Sequence, residues 1–156
     1  MRIAFGPFMR SGKDTACLFL QKKYGGKILS FGWLLYRACN QLQETLGIPI
    51  EKDRELLLWI GAHANSKNPF VFVEQVREQI EMHRKDNIFV SDVRRMEEAE
   101  MLKKQGFLLV KILRDIPRES CEMEERASLL DVWDIVIENN GTLQEFEAQL
   151  SDIFEQ

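Results

Sequence analysis

The stretch from Arg2 to Thr15 constrains the fold of this chain more than any other. It begins with a short apolar run, Ile3 to Phe5, which predicts a buried strand. A glycine-containing loop from Gly6 to Gly12 follows, and the segment from Ala16 to Tyr24 then has apolar residues at close to helical spacing. We therefore expect a strand, a loop and a helix in direct succession at the start of the domain.

This order of elements is typical of a loop that binds phosphate. The backbone N–H groups of such a loop and the positive end of the helix dipole point to one place, so an anion binds there. Lys13 directly follows Gly12 and is expected to reach the β- and γ-phosphates of a nucleotide. Pro7 stands where the common pattern has its first glycine, and Asp14 stands where it has Ser or Thr. The alternative is an ordinary turn between a strand and a helix.

Composition limits the classes of function. A chain of 156 residues with 45% hydrophobic and 29% charged residues suits one globular domain. The net charge of −4 provides no global basic field for polymeric nucleic acid, so an anionic ligand needs a local positive pocket. No apolar run approaches the ~20 residues of a membrane span, and we identify no signal peptide. Three cysteines without metal-ligand spacing favour reduced thiols and a cytoplasmic location.

Beyond the first helix the pattern alternates between strands and helices. Strands are predicted over 27–31, 87–91, 107–113 and 132–137, and helices over 32–46, 51–64, 70–84, 96–105 and from the cap Thr142 to about Phe154. The strands are almost continuously apolar, which indicates a parallel sheet covered by helices on both faces. Such sheets bind ligands at the carboxyl ends of their strands.

Two segments are predicted to lie around that edge of the sheet. The mostly helical stretch 31–86 is predicted to be an insertion over the edge. In it we expect inward-facing side chains on the helix 51–64 and a cap in the region of Ser30; the inward residues would be Leu56, Leu57, Trp59 and Ile60. The polar segment 114–131 has no clear structure in the sequence, and a long loop of that kind fits a lid.

Charged residues follow two of the strands. Asp92 comes directly after an apolar run, and a carboxylate there can orient Mg²⁺ through its waters. A helix cap or an ion pair with Arg94 or Arg95 is the alternative for Asp92. Arg114 and Arg118 follow the longest strand, where guanidinium groups can stabilise a transferred phosphoryl group. Pairing with the neighbouring glutamates is the alternative for these arginines.

Four stretches resemble the P-loop nucleotide kinases, and within them the bacteriophage-type deoxynucleoside monophosphate kinases. They are the loop 9–15, the pair Ser30-Phe31, the segment 92–94 followed by 98–100, and the ending 137–143, and the likeness spans most of the chain. The resemblance implies a three-layer P-loop NTPase fold in a single kinase domain. It also implies a parallel sheet of about five strands, the insertion 31–86 as an acceptor-binding region, and the segment 114–131 as an arginine-bearing lid.

The resemblance further implies a reaction and a set of site residues. The reaction is transfer of the γ-phosphoryl group of ATP to a (deoxy)nucleoside monophosphate with Mg²⁺ as cofactor. Lys13, Arg114 and Arg118 would be catalytic. The ATP-binding candidates are Arg10, Ser11, Gly12, Lys13, Asp14, Thr15, Asn139 and Gly141, of which the last two would lie near the adenine. The acceptor-binding candidates are Ser30, Phe31, Arg54 and Arg94, and the metal-binding candidates are Asp14, Thr15 and Asp92.

Two alternatives remain open at the level of the sequence. One is a P-loop kinase for another small acceptor, such as dephospho-coenzyme A, and the other is a nucleotide-binding module without turnover. For the kinase, the predicted partners are ATP and a small phosphorylated acceptor, with no polymeric nucleic acid and no membrane. A homodimer is left open.

Overall fold

Five short apolar runs form the strands of one parallel sheet. The computed structural model describes residues 1–117 and 122–155, and its strands are β1 (Arg2–Gly6), β2 (Lys27–Leu29), β3 (Ile88–Val90), β4 (Leu108–Leu113) and β5 (Ile135–Glu138). Their order across the sheet is β2-β3-β1-β4-β5, and every neighbouring pair is parallel. The predicted α/β fold with a parallel sheet of about five strands is confirmed.

Seven helices lie within the described residues. They are α1 (Lys13–Tyr24), α2 (Trp33–Leu46), α3 (Arg54–Lys67), α4 (Val71–Met82), α5 (Met96–Lys104), α6 (Glu122–Ser128) and α7 (Leu143–Phe154). The chain divides into a sheet unit, Met1–Leu29 with His83–Gln156, and a helical unit, Ser30–Met82. In residues 1–117 and 122–155, no helix has the length and apolar character that crossing a membrane requires.

The main core of the sheet unit lies between the sheet and the helices α1 and α7. Ile3 and Phe5 of β1 point to this face because strand side chains alternate, and both are almost fully buried. They belong to a cluster whose helical members are Ala16, Cys17, Leu20, Phe146 and Leu150. On the opposite face, Ala4 is fully buried, and α5 contributes the buried Ala99 and Leu102. Helices therefore cover both faces of the sheet.

The carboxyl ends of the parallel strands meet at one edge of the sheet. There β1 leads into the loop before α1, β3 into Ser91 and Asp92, β4 into Arg114, and β5 into Asn139. Because β1 is the central strand, its loop lies between the segments that follow β3 and β4. This is the edge at which open α/β sheets bind ligands.

Within the helical unit, side-chain hydrogen bonds fix the connection between α2 and α3. The buried side chain of Gln43 donates to the carbonyl of Glu51 at 3.1 Å and accepts from its N–H at 3.3 Å. The carboxylate of Asp53 then accepts the N–H of Leu56 at 2.9 Å, which caps α3 and fixes its start at Arg54. The helix predicted over 51–64 therefore begins and ends three residues later than expected.

Two details predicted for the helical unit are wrong. Trp59 was expected to face inward, but its side chain is 63% exposed, whereas Leu57 is buried. Ser30 was expected in the capping region of α2, but Gly32 is the N-cap, and no side chain caps the first turn of the helix. The hydroxyl of Ser30 instead accepts the N–H of Gly32 at 3.1 Å, which forms a local turn before the helix.

The segment 114–131 contains a helix that the sequence pattern did not predict. This helix, α6, buries Glu124 and Ala127 and exposes its other residues or leaves them partly covered.

Elsewhere the differences between predicted and observed element boundaries are small: β2 ends at Leu29 instead of residue 31, and β5 begins at Ile135 instead of residue 132. α1 begins at Lys13, three residues earlier than expected, so the lysine belongs to the first turn of the helix.

Candidate phosphate-binding site

The loop between β1 and α1 depends on unusual backbone conformations. Arg10 has a φ of +58° and Gly12 has a φ of +108°, which are both in the left-handed region. Gly6 has a different requirement, because a Cβ atom there would overlap the carbonyl oxygen of Val93 and the ring of Trp133. Gly6 is therefore required by this close approach, and it lies one position before the place where the common pattern has its first glycine.

The side chain of Lys13, the first residue of α1, points into the preceding loop and is buried there. Only 6% of the residue is exposed, and its ammonium group donates a hydrogen bond to the carbonyl of Phe8. The hydroxyl of Ser11 donates to the same carbonyl at 2.9 Å. The loop therefore curls around the lysine, while the first N–H groups of α1 have no acceptor within the helix itself. This is the arrangement expected of a site for an anion.

Asn139 holds the loop from the end of β5. Its side-chain amide is buried and donates to the carbonyl of Ser11 at 2.9 Å. We expected Asn139 and Gly141 near an adenine ring, and the structure places the Asn139 amide against the backbone of the loop between β1 and α1. Gly141 is exposed and lies beside the carboxylate of Glu145.

Arg94 and Glu124 complete a charged cluster at the loop. The carboxylate of Glu124 accepts the backbone N–H of Met9 at 3.0 Å. Its other oxygen lies 3.5 Å from the guanidinium of Arg94, an ion-pair contact too long or too poorly aligned to count as a hydrogen bond. Glu124 is 2% exposed, so this pair is well shielded from water. Glu124 is one of the glutamates considered as partners for the arginines, but its contacts with Met9 and Arg94 join segments that are distant in the chain.

The electrostatics of the cluster act on Lys13. Burial lowers the pKa of Lys13, and the charge of Arg94 lowers it further. The negative charges of Glu124, Asp14 and Asp92 raise it, in that order of effect, without cancelling the decrease. The nearby carboxylates therefore do not fully offset the burial of the charged ammonium, and a bound anion would raise the pKa of Lys13.

Asp14, Thr15 and Asp92 are suitable oxygen donors for Mg²⁺. Asp14 is exposed in the first turn of α1, whereas Thr15 and Asp92 are half-buried. In residues 1–117 and 122–155, no cluster of three or more acidic, cysteine or histidine side chains could hold a metal. Mg²⁺ binds to proteins through one or two carboxylates together with waters and substrate phosphates, so oxygen groups of this kind have suitable chemistry for it.

Glu98 is a second buried carboxyl group; it lies in the stretch 98–100 that carries the resemblance, but no role was predicted for it. It accepts the backbone N–H groups of Arg94 at 2.8 Å and Arg95 at 3.0 Å, and so fixes the chain at the start of α5. Burial raises the pKa of Glu98 to about 8, although these two hydrogen bonds act in the opposite direction. The available signal was a glutamate four residues after Arg94, at a position that reaches back over the helix N-terminus.

The structure does not bring all the predicted site residues into this cluster. Arg10 and Arg114 are exposed, and the side chain of Arg114 has no hydrogen bond or ion pair with any residue in 1–117 or 122–155. Arg118 lies outside the described residues. Three acceptor-binding candidates belong to the helical unit: Ser30 is half-buried, Phe31 is buried, and Arg54 is exposed at the start of α3.

A cavity of about 380 Å³ lies within the helical unit along α2. Its lining includes Trp33, Tyr36 and Asn40, and the guanidinium of Arg37 lies 5.3 Å from the centre of the Trp33 ring. This geometry is a cation–π contact between the guanidinium and the indole ring. None of the predicted acceptor-binding residues lines the cavity.

The fold and the loop identify the chain as an α/β protein with a parallel sheet. Its central strand leads through a loop to a helix that begins with a buried lysine. The chain is similar to a protein of Acanthamoeba polyphaga mimivirus named "Putative deoxynucleotide monophosphate kinase". The two are 27% identical over 175 aligned positions, which cover 90% of this chain and 89% of the mimiviral protein. No protein-family model matches the chain.

Proposed function

We propose that this chain is an ATP-dependent kinase whose acceptor is a (deoxy)nucleoside monophosphate. The observation that carries the proposal is the position of Lys13, buried in a loop at the carboxyl end of the central strand and at the start of α1. The name of the mimiviral relative supports a nucleotide as the substrate. Its alignment covers nearly the full length of both chains, so the similarity is not confined to the loop.

In this proposal the loop binds the phosphates of ATP. The N–H groups in the first turn of α1 donate to phosphate oxygens, and the Lys13 ammonium turns from the Phe8 carbonyl towards them. An added negative charge raises the pKa of Lys13 and keeps it protonated. The lysine then stabilises the charge that develops on the transferred group, which is the main contribution a protein makes to phosphoryl transfer.

Arg94 is proposed to contact a phosphate, because its guanidinium already faces the loop cluster through Glu124. Glu98 positions Arg94 by holding the backbone N–H of that residue. Asp14, Thr15 and Asp92 would hold Mg²⁺, with phosphates and water as its other ligands. Bound Mg²⁺ would neutralise part of the phosphate charge.

Several finer assignments are part of the same proposal. Arg114 and Arg118 act on the transferred phosphoryl group once ligands are bound, and Ser30, Phe31 and Arg54 contact the acceptor. Asn139 and Gly141 contribute to the ATP site, Asn139 by bracing the loop. The free, buried thiols of Cys17 and Cys39 support a cytoplasmic location.

The proposal is tested by detecting ADP in a coupled assay. The acceptors are a panel of ribo- and deoxynucleoside monophosphates together with dephospho-coenzyme A, each with Mg²⁺ and with a chelator. We expect Mg²⁺-dependent ADP formation with at least one nucleoside monophosphate. Lys13→Ala should reduce turnover by roughly a hundredfold or more, the effect of losing one preorganised transition-state contact.

Lys22→Ala is the matched control, because Lys22 is an exposed lysine in the last turn of the same helix. It should leave turnover unchanged. Turnover only with dephospho-coenzyme A would replace the proposed acceptor, and ATP binding without ADP formation would replace the kinase with a binding module. Equal activity in Lys13→Ala and Lys22→Ala would contradict the role of the loop.

A further inference from the structure

Glu124 differs from the other acidic residues of its helix. Glu122 pairs with Arg126 at the surface, and both side chains are more than three-quarters exposed. Glu124 is instead 2% exposed and points its carboxylate into the sheet unit. A carboxylate is buried in a protein only where hydrogen-bond donors or cations surround it. The groups around Glu124 therefore show which kind of ligand this position can bind.

Those surroundings are an anion-binding set. Met9 gives a backbone N–H from the loop at 3.0 Å, and Arg94 gives a guanidinium at 3.5 Å. The ammonium of Lys13 donates to the carbonyl of Phe8, the residue before Met9, and the charge of Glu124 raises the pKa of this lysine. A loop N–H, an arginine and a lysine are the groups that proteins use to bind phosphate.

The fit of the carboxylate to this set is incomplete. One oxygen of Glu124 and the Nε atom of Arg94 are both buried without a hydrogen-bond partner among residues 1–117 and 122–155. A carboxylate has two oxygens, whereas a phosphate group has at least three that can accept hydrogen bonds. A phosphate in the same position could therefore satisfy donors that Glu124 leaves unpaired.

We propose that the Glu124 carboxylate occupies a phosphate subsite of the loop, formed by Met9, Arg94 and Lys13, and that a phosphate group displaces it on binding. The inference rests on the proposed function for the identity of the natural ligand, but the subsite itself requires only an anion. The carboxylate and a phosphate cannot share the subsite, because two like charges at contact distance repel strongly in a shielded environment.

The attachment of α6 is compatible with movement of this one side chain. The helix is also held by Trp133, whose indole N–H donates to the carbonyl of Ala127 at 3.0 Å, and by Lys111, which donates to the carbonyl of Ser128 at 3.1 Å. These two contacts involve the C-terminal end of α6 and do not depend on the Glu124 carboxylate. The side chain can therefore leave the subsite while the end of the helix stays attached.

The test compares Glu124→Gln with Glu122→Gln by isothermal titration calorimetry. Glutamine keeps the size of the side chain and an oxygen for the Met9 N–H, but it removes the competing charge. Glu122→Gln removes the same charge from an exposed position on the same helix. The probes are inorganic pyrophosphate and ATP. Relative to the wild type, Glu124→Gln should bind pyrophosphate about tenfold more tightly, equivalent to about 1.4 kcal/mol, and Glu122→Gln should not.

The outcomes separate this inference from the proposed function. Tighter pyrophosphate binding by Glu124→Gln without any ATP binding would support the subsite and contradict the kinase. ATP binding by the wild type that is equal or weaker in Glu124→Gln would overturn the inference, since Glu124 would then only orient Arg94, and it would leave the kinase intact. Absence of pyrophosphate binding in all three proteins would overturn the inference as well.

If Glu124→Gln does not fold, the inference can be tested with the wild-type protein alone. The Met9 amide resonance should shift in an NMR titration with pyrophosphate, because its N–H would change acceptor from carboxylate to phosphate. A shift of the Gly12 resonance without a shift of Met9 would place the anion elsewhere in the loop and overturn the inference.

Discussion

At the candidate site, the side-chain amide of Asn139 approaches the backbone of Gly12 closely. Gly12 adopts a φ of +108°, and a Cβ atom at this position would lie 2.5 Å from the Asn139 amide nitrogen and 3.3 Å from the Phe146 ring. The same amide holds the carbonyl of Ser11. The glycine is therefore required both by the backbone and by the close approach of the residue that braces the loop.

Gly12→Ala should destabilise the protein and weaken ATP binding together. The left-handed conformation alone costs an alanine roughly 1–2 kcal/mol, and displacement of Asn139 adds to this cost. Gly106→Ala is the control, because Gly106 also has a positive φ, +76°, but nothing lies within 4 Å of its added Cβ. Urea denaturation should show a larger loss for Gly12→Ala. Equal losses would mean that the contact with Asn139 contributes nothing.

Glu98 should make the stability of the fold depend on pH. Its pKa is raised to about 8 in the folded state, from an ordinary value of 4.5. Between these values the folded protein binds a proton that the unfolded chain does not, so the free energy of unfolding decreases as pH rises through this window. Glu98→Gln keeps an acceptor for the backbone of Arg94 and removes the titration.

This effect is measured by urea denaturation between pH 5 and 8.5. The free energy of unfolding of the wild type should fall with rising pH relative to that of Glu98→Gln. Glu97→Gln, a change at the exposed neighbouring residue, should follow the wild type. Parallel curves for the wild type and Glu98→Gln would contradict a raised pKa of Glu98.

Among the helices, α7 has both a capping box at its start and buried residues that pack in the core. The hydroxyl of Thr142 accepts the N–H of Glu145 at 3.3 Å, and the carboxylate of Glu145 accepts the N–H of Thr142 at 2.7 Å. This reciprocal capping box fixes the start of a helix that buries Phe146 and Leu150 against the sheet. The prediction of a helix capped by Thr142 and ending near Phe154 is confirmed.

Thr142→Ala should cost about 1 kcal/mol of stability, the usual effect of removing an N-cap side chain. Thr45→Ala is the control, because Thr45 is exposed within α2 and its hydroxyl only donates back to the carbonyl of Gln41. That substitution should be nearly neutral, since alanine favours a helix interior. A neutral Thr142→Ala in chemical denaturation would show that packing of α7 fixes its start without the cap.

Two of the differences from the prediction, the direction of Trp59 and the unpredicted helix α6, have physical causes. The run from Leu56 to Ile60 contains five consecutive apolar residues, so it covers every side of the helix and gives no direction to Trp59. α6 has only seven residues, and one of its two buried side chains is a glutamate. A pattern based on buried apolar residues does not register such a helix, which tertiary contacts stabilise.

For the whole molecule, the sheet was predictable and the charged cluster only in part. Continuous apolar runs separated by helices indicate a parallel sheet, and Lys13 follows Gly12 at the end of the first strand, so local spacing was sufficient for both. The role of Glu124 depends on Met9, which is 115 residues away along the chain. No local pattern contains such a pairing, and only the order of the strands brings the two segments together.

The bond from Asn139 to Ser11 joins residues 128 positions apart, and it has a consequence for synthesis of the protein. Synthesis runs from Ser11 towards Asn139, so the amide that holds the Ser11 carbonyl is made 128 residues after it. α1 likewise packs against Phe146 and Leu150 of α7. During translation the loop therefore has no brace until β5 has emerged from the ribosome. We expect a nascent chain that stops before β5 to lack an ordered loop, so that the ability to bind anions is acquired only after β5 has been made.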